Sequence, residues 1–324
     1  MASTVPANGD INPYGVAVVP TTIGRLHRGD VLVSNFNNAT NAQGTGTTIV
    51  EIGPGGHRSV FARIGQSQVP GGVGLTTALV ALRSGWVIVG NLPTSNGMSA
   101  TATAGGLLVI DPWGQLRKIW TGHGINGPWD ATAADFGDHA DLFVTNVLNG
   151  TVAHSPATVF GGTVLRLSVD LTEGMPTIKA ATIIGSGFPE RTDAAALVVG
   201  PTGVALGMDG TLFVADTVRS RLAAIPNALT RVTSAGDGAT VRAGGPLNGP
   251  LGVVVAPGGD LVAVNAGDGR AVEVSPTGRL VSVRWLDTSG APPGSGALFG
   301  LAVRPGGHAL YFVDDATNTL NLLH

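Results

Sequence analysis

Six times along the chain an apolar strand stops on an asparagine or an aspartate. The stretches are DVLVSN, WVIVGN, DLFVTN, TLFVAD, LVAVN and LYFVDD, closing at Asn35, Asn91, Asn146, Asp216, Asn265 and Asp314. Ahead of each lies another apolar stretch: NPYGVAVVP from Asn12, GLTTALVAL from Gly74, NGPWDATAA from Asn126, VGPTGVALG from Val199, NGPLGVVVAP from Asn248 and ALFGLAVRP from Ala297. A third strand follows in most units, as in GGLLVIDPWG, and a fourth, as in LVSVRWLD. Four short strands recurring about every 50 residues form a unit that buries its faces only by stacking on its neighbours, the pattern of a β-propeller blade.

The expected fold is therefore all-β: a six-bladed β-propeller with four antiparallel strands per blade, one domain over residues 1–324. The sixth unit stops at LNLLH, one strand short. The N-terminal STVPA supplies the missing strand, and that closure removes exposed sheet edges. Composition agrees, since 50 Gly, 20 Pro and 43% hydrophobic residues suit many strands joined by tight turns.

Parity sorts the loops. In an up-and-down blade, the segment leading into the first strand and the loop between the second and third strands open on one face. That face receives long loops in the first three units, such as NVLNGTVAHSPATVFGG, and short ones in the last three, such as NAGDGR. Long loops on a rigid scaffold are where recognition tends to reside. An insertion, GSGFPERTDAAALVVG, reaches the same face before unit four and is expected to cover the channel as a lid.

Equivalent positions at the start of the six first strands hold Tyr14, Thr76, Trp129, Thr202, Leu251 and Phe299, followed by Gly15, Thr77, Asp130, Gly203, Gly252 and Gly300. Asp130 is the one carboxylate among them. Three roles stay open for it: oxygen ligand to a hard cation such as calcium with Asn35 and Asn146, general base, or hydrogen-bond anchor paired with Arg219 or Arg221. Tyr14, Trp129 and Phe299 form either an aromatic rim for a small ligand or a plug in the channel neck. The expected ligand-binding set is Tyr14, Asn35, Thr77, Asn91, Trp129, Asn146, Arg219 and Phe299, with Asp130 and His154 as the catalytic candidates.

The strand-closing Asn and Asp side chains also have a structural role available, bonding to nearby backbone N–H groups. Asn37, Asn38, Asn149 and Asp315 add amides and a carboxylate beyond the repeat, so they are better candidates for ligand contacts. His27, His57, His139 and His308 fall on turns of the opposite face, spread around the ring. Only His123 and His154 fall on the long-loop face, which argues against a zinc site.

A net charge of −3 with no run of Lys or Arg argues against nucleic acid as a partner. The absence of cysteine excludes disulfides and thiolate chemistry. No apolar run approaches the ~18 residues that span a bilayer. No phosphate-binding loop, zinc-protease helix or serine elbow is present.

The units PTGVALGMDGTLFVADTVRSRL and GPLGVVVAPGGDLVAVNAGDGRAVEV resemble the NHL-repeat family, with its Pro-x-Gly-Val-Ala opening and Val-Ala-Asp second strand. The resemblance implies a propeller of a broad superfamily that includes ligand-binding and protein-binding scaffolds, calcium-dependent lactonases and phosphotriesterases, and lyases. The calcium-dependent hydrolases use a Glu at one strand opening, whereas Glu51, Glu173, Glu190 and Glu273 stand elsewhere here. The leading expectation is a scaffold that binds a small molecule or protein at the channel mouth on the long-loop face. The alternative is a metal-assisted hydrolase or lyase using Asp130 and nearby Asn residues. A monomer that is secreted or periplasmic, its export signal missing from this sequence, completes the expectation, with a cytoplasmic location left open.

Overall fold

The computed structural model describes residues 1–307 and 309–324; His308, expected on a turn of the opposite face, lies outside the described residues. Six antiparallel sheets follow one another, each beginning with an innermost strand: Ile11–Val18, Leu75–Ala81, Pro128–Asp135, Pro201–Leu206, Pro250–Val255 and Leu298–Val303. We call them blades one to six. The second strands end at Asn37, Asn91, Asn146, Asp216, Asn265 and Asp314. Ala2–Ser3 pairs with Thr319–Leu323, so the N-terminal strand completes blade six as expected. Blade three departs from the four-strand rule: its fourth strand, Thr177–Asp193, runs on and turns back through a fifth, Leu197–Val199.

Five neighbouring blade pairs enclose separate apolar cores, and the core between blades six and one is continuous with the centre of the ring, which is why the innermost strands read as nearly continuous Val, Ala and Leu. All six first strands carry a bulge near their start, between residues such as Pro128 and Ala131 or Pro250 and Val253. A bulge bends a strand and re-aims its side chains. Here it sets how closely the blades approach. A Cβ at Gly203, Gly252 or Gly300 would stand 2.2 Å from the carbonyl oxygen of Leu251, 2.2 Å from that of Phe299 and 2.1 Å from that of Tyr14. Only glycine lets those backbones touch.

Blades one and three add a hydroxyl to the same seam. Ser34 Oγ accepts the Gly15 N–H at 2.9 Å and donates to the Thr76 carbonyl at 2.8 Å. Thr145 Oγ1 accepts the Asp130 N–H at 3.0 Å and donates to the Thr202 carbonyl at 2.7 Å. Each ties its own bulge to the next blade. No helix among the described residues is long and apolar enough to cross a membrane.

Candidate functional site

The central channel is closed at the long-loop end. Tyr14 stacks on Phe36 and Phe299, with ring centroids 4.5 and 4.0 Å apart, and faces Trp129 at 6.1 Å. All four rings are buried, Tyr14 and Trp129 to 2% exposure. Of the two roles open to these aromatics, the structure shows the plug; the rim they were expected to offer a ligand is inside the core. Leu251 and the segment Ala196–Val199 pack into the same cluster.

That segment is the expected lid. The Trp129 indole Nε1 donates to the Val198 carbonyl at 2.9 Å. Ser99 Oγ donates to the Leu197 carbonyl at 2.7 Å, and Gln43 Nε2 to that of Ala194 at 2.8 Å. Long loops from blades one and two thus hold the lid down over the plug. At its root, Glu190 is wholly buried: Oε1 accepts the Asn149 N–H at 2.8 Å, while Oε2 has no partner among the described residues. Burial pushes its carboxyl up to about 7, the Asn149 bond pulling the other way. Composition hid this group, because only the turn of the long fourth strand brings it under the lid.

The strand-closing amides are largely committed. Asn91 Oδ1 accepts the Gly74 N–H at 2.7 Å, Asn146 Oδ1 that of Asn126 at 3.0 Å, and Asn265 Oδ1 that of Asn248 at 3.1 Å. In each case the amide fastens the segment leading into its blade's first strand. Asn35 uses Nδ2 on the Thr4 carbonyl at 3.1 Å and leaves Oδ1 without a partner among the described residues. Arg219 pairs with Asp237 and lies over the exposed Phe160 ring, 5.8 Å from its centroid. Arg221 grips Asp216 at 2.9 Å. Neither arginine reaches Asp130. His154 is exposed, its Nδ1 2.9 Å from the Gly150 carbonyl oxygen.

Asp130 departs from its expected place. It lies beneath the plug, lining a funnel of about 340 Å³ that opens on the face opposite the long loops. Alternation accounts for the difference: Trp129 turns into the plug and Asp130, next along the chain, lines the funnel. Where sister blades press glycine against backbone, the Asp130 carboxylate fills the seam. Its Oδ1 accepts the Ala131 N–H at 2.8 Å, and its Oδ2 the Val204 N–H of blade four at 3.0 Å. Burial raises its carboxyl to about 7, with the Val204 and Ala131 bonds acting against that rise. Thr77 also lines the funnel, its buried Oγ1 without a partner among the described residues. The remaining wall is mostly Val, Ala and Leu, ending near Asp135, which is tied to Arg83.

The structure therefore brings Asp130 and Thr77 together and separates them from His154, Arg219, Asn35, Asn91 and Asn146, none of which lines the funnel. With Asn146 Oδ1 already occupied and both Asp130 oxygens accepting backbone N–H groups, the expected cation set of Asp130, Asn35 and Asn146 is not assembled. A different set is: single donor atoms of His27, Asp30 and Glu51 lie within 4.8 Å of one another in blade one, a spacing that could chelate a divalent cation. His27 N–H donates to Glu51 Oε1 at 2.8 Å. His27 is legible in the sequence as a turn histidine but its partner is not, because Glu51 arrives from the third strand, paired in register with Leu32.

No protein-family model matches the sequence, and no curated protein does. Solved structures do resemble it. A catalytically inactive virginiamycin B lyase from Staphylococcus aureus, solved with quinupristin, is 16% identical, with 99% of this chain and 84% of that chain covered at TM-score 0.57. A gluconolactonase from Xanthomonas campestris is 16% identical over 97% and 86% of the two chains at TM-score 0.60. Regucalcin from Agrobacterium tumefaciens, a calcium-binding protein, is 14% identical over 96% and 85% at TM-score 0.57. At such identities the likeness is one of fold, and it establishes a six-bladed propeller without reaching the narrower NHL-repeat resemblance.

Proposed function

We propose that the protein takes a small molecule into the funnel and acts on it as a hydrolase or lyase, with the Asp130 carboxyl as the acid–base group. The observation that carries this reading is the Asp130 carboxyl, which burial raises to about 7, at the closed end of the channel cavity. Such a group both takes and gives protons at working pH. Perturbed carboxyls in concave sites mark functional positions more often than chance. The cavity of about 340 Å³ falls in the size range of small-ligand pockets. That a lyase and a gluconolactonase share the fold supports the reaction class by analogy of fold alone.

The mechanism this geometry allows is limited to what the chain supplies. Val204 and Ala131 N–H groups fix the carboxylate at the deep end of the funnel. The test is a panel of lactones, esters and substrates prone to elimination, assayed with the wild type and with Asp130→Asn. The reading expects turnover with a pH dependence centred near 7, lost in the variant while binding persists. Turnover unchanged in Asp130→Asn would refute it. Divalent-cation binding by His27, Asp30 and Glu51 forms a separate proposal, checked by comparing melting with and without chelator in Glu51→Gln.

A further inference from the structure

The lid is a short hairpin that leaves blade three at one buried acid. Thr177–Asp193 turns back through Leu197–Val199 in the register Arg191 with Val199, Thr192 with Val198 and Asp193 with Leu197. Glu190 stands one residue before the first of these pairs. It is wedged between two glycines: a Cβ at Gly161 would lie 2.9 Å from Glu190 Oε1, and one at Gly200 2.8 Å from the Glu190 Cβ. The side chain is 0% exposed, Oε1 takes the Asn149 N–H, and Oε2 has no partner among the described residues. A buried carboxyl with one oxygen free is tolerated as the neutral acid and costly as the anion.

Among the described residues no cation offsets that cost. The loop that follows Asn146 contributes one titratable side chain, His154, which is exposed with Nδ1 on the Gly150 carbonyl. At the start of the third strand Arg219 lies over Phe160, but that guanidinium is paired with Asp237. Farther along the same strand Arg166 donates to the Ala228 carbonyl, and Asp170 pairs with Lys179. Within the hairpin Arg191 and Asp193 face each other at 3.5 Å, and residues 194–200 hold no ionisable side chain. Burial accordingly raises the Glu190 carboxyl to about 7, the Asn149 bond acting against it.

The hairpin is strained as well. Leu197 takes a left-handed φ of 63°, which a residue with a bulky side chain seldom adopts, and its side chain is nonetheless 1% exposed in the core of the plug. Apolar packing and bonds from Trp129, Ser99 and Gln43 keep it there. A hairpin seated against its own backbone preference, on an acid that resists ionisation, is a unit able to open before the blades do.

We propose that Glu190 makes the lid a pH-operated closure: the hairpin is seated over the plug while the acid is protonated and lifts from it when the proton leaves. In the lifted lid the carboxyl meets water and titrates near the ordinary 4.5, so closure is fully favoured below about 4.5. Above that it weakens by up to about ten-fold per pH unit, and it is weakest above about 7. Lifting takes the Val198 carbonyl away from Trp129 and bares the stacked rings to the long-loop face, while the blade cores stay folded.

The test is the reactivity of one thiol in a chain that has none. Ala196→Cys places it in the lid, at a site 6% exposed, and Ala263→Cys places a control in the core of blade five, at 0%. Labelling by dithiodipyridine is followed from about pH 4.5 to about 8, and each rate is divided by that of the same variant in urea, which removes the thiol's own pH dependence. The proposal expects lid protection to fall at least ~10-fold across that range and to stay far below protection at position 263, because the lid lifts from folded blades. Combined with Glu190→Gln, Ala196→Cys should lose that fall, and Glu190→Met, equally unable to ionise, should act alike. Lid protection that is flat with pH when Glu190 is present overturns the proposal. So does a fall that persists in either Glu190 variant, or lid protection equal to that at position 263.

Discussion

The two ends of one channel are built from the same six strands and come out opposite. At the long-loop end, aromatic rings stack, the lid covers them, and the loops of blades one and two bond to the lid. At the other end the same strands leave an open funnel with one carboxyl at its base. The difference comes from a single step along each strand. One position before the bulge points into the plug and the next points into the seam or the channel, so Trp129 and Asp130 serve different ends although they are adjacent. Loop length marks the better-covered end here, and Asp130 faces the barer one.

Removing the plug should show the largest effect. Trp129→Ala deletes a buried indole and its bond to Val198, and a cost of roughly 3–5 kcal/mol in urea unfolding is expected from large-to-small core changes. A loss under about 1 kcal/mol would mean that the aromatic stack does not hold the closed end. Next comes the open end. Asp130→Asn should lower turnover by about 10²–10⁴-fold, the usual contribution of a general acid–base, for a stability change near 1 kcal/mol. Comparable losses in both quantities would make Asp130 a structural brace between blades three and four.

Glu190 sharpens the contrast through pH. Its folded pKa of about 7 stands above the ordinary 4.5, so the stability it contributes is fully present below about 4.5 and is lost as pH rises through about 7. Tm should therefore fall between pH 5 and pH 8. Glu190→Gln should flatten that fall by a few degrees, at roughly 2–4 °C per kcal/mol for a chain of this size class. A pH profile identical in the variant would place the titration elsewhere. The smallest effect belongs to the lid anchors: Ser99→Ala with Gln43→Ala should speed hydrogen exchange over residues 193–199 while Tm moves by only a degree or two. Unchanged exchange there would show that apolar packing alone holds the lid.

The repeat made much of this legible. Strand-closing Asn and Asp, apolar first strands and Gly after the opening position each follow from a local requirement that recurs six times, so the blade number and the terminal closure could be read directly. Loop parity located the lid segment for the same reason. What the sequence concealed was orientation across the bulge. Adjacent strand residues face opposite sides, so Trp129 and Asp130 could not share one rim, and the register shift between Pro128 and Ala131 hides which of the two faces the plug. Partners distant in sequence were hidden as well: Glu51 beside His27, Asn149 beside Glu190, and Asn12 beside Asn318 depend on sheet register and blade closure. Arg219 and Arg221 looked like partners for Asp130, yet Asp216 and Asp237 stand closer in the fold.

Access to the channel is the central claim, and a chain without cysteine offers a clean way to measure it. Thr132 lines the funnel, while Thr76 sits at the plug end with 3% exposure and an unpartnered Oγ1. Single Thr132→Cys and Thr76→Cys variants would be treated with a small thiol reagent such as iodoacetamide under native conditions. The account predicts that the thiol in the funnel reacts readily and the one at the plug only when the protein unfolds. Rapid native reaction at position 76 with protection at position 132 would contradict it.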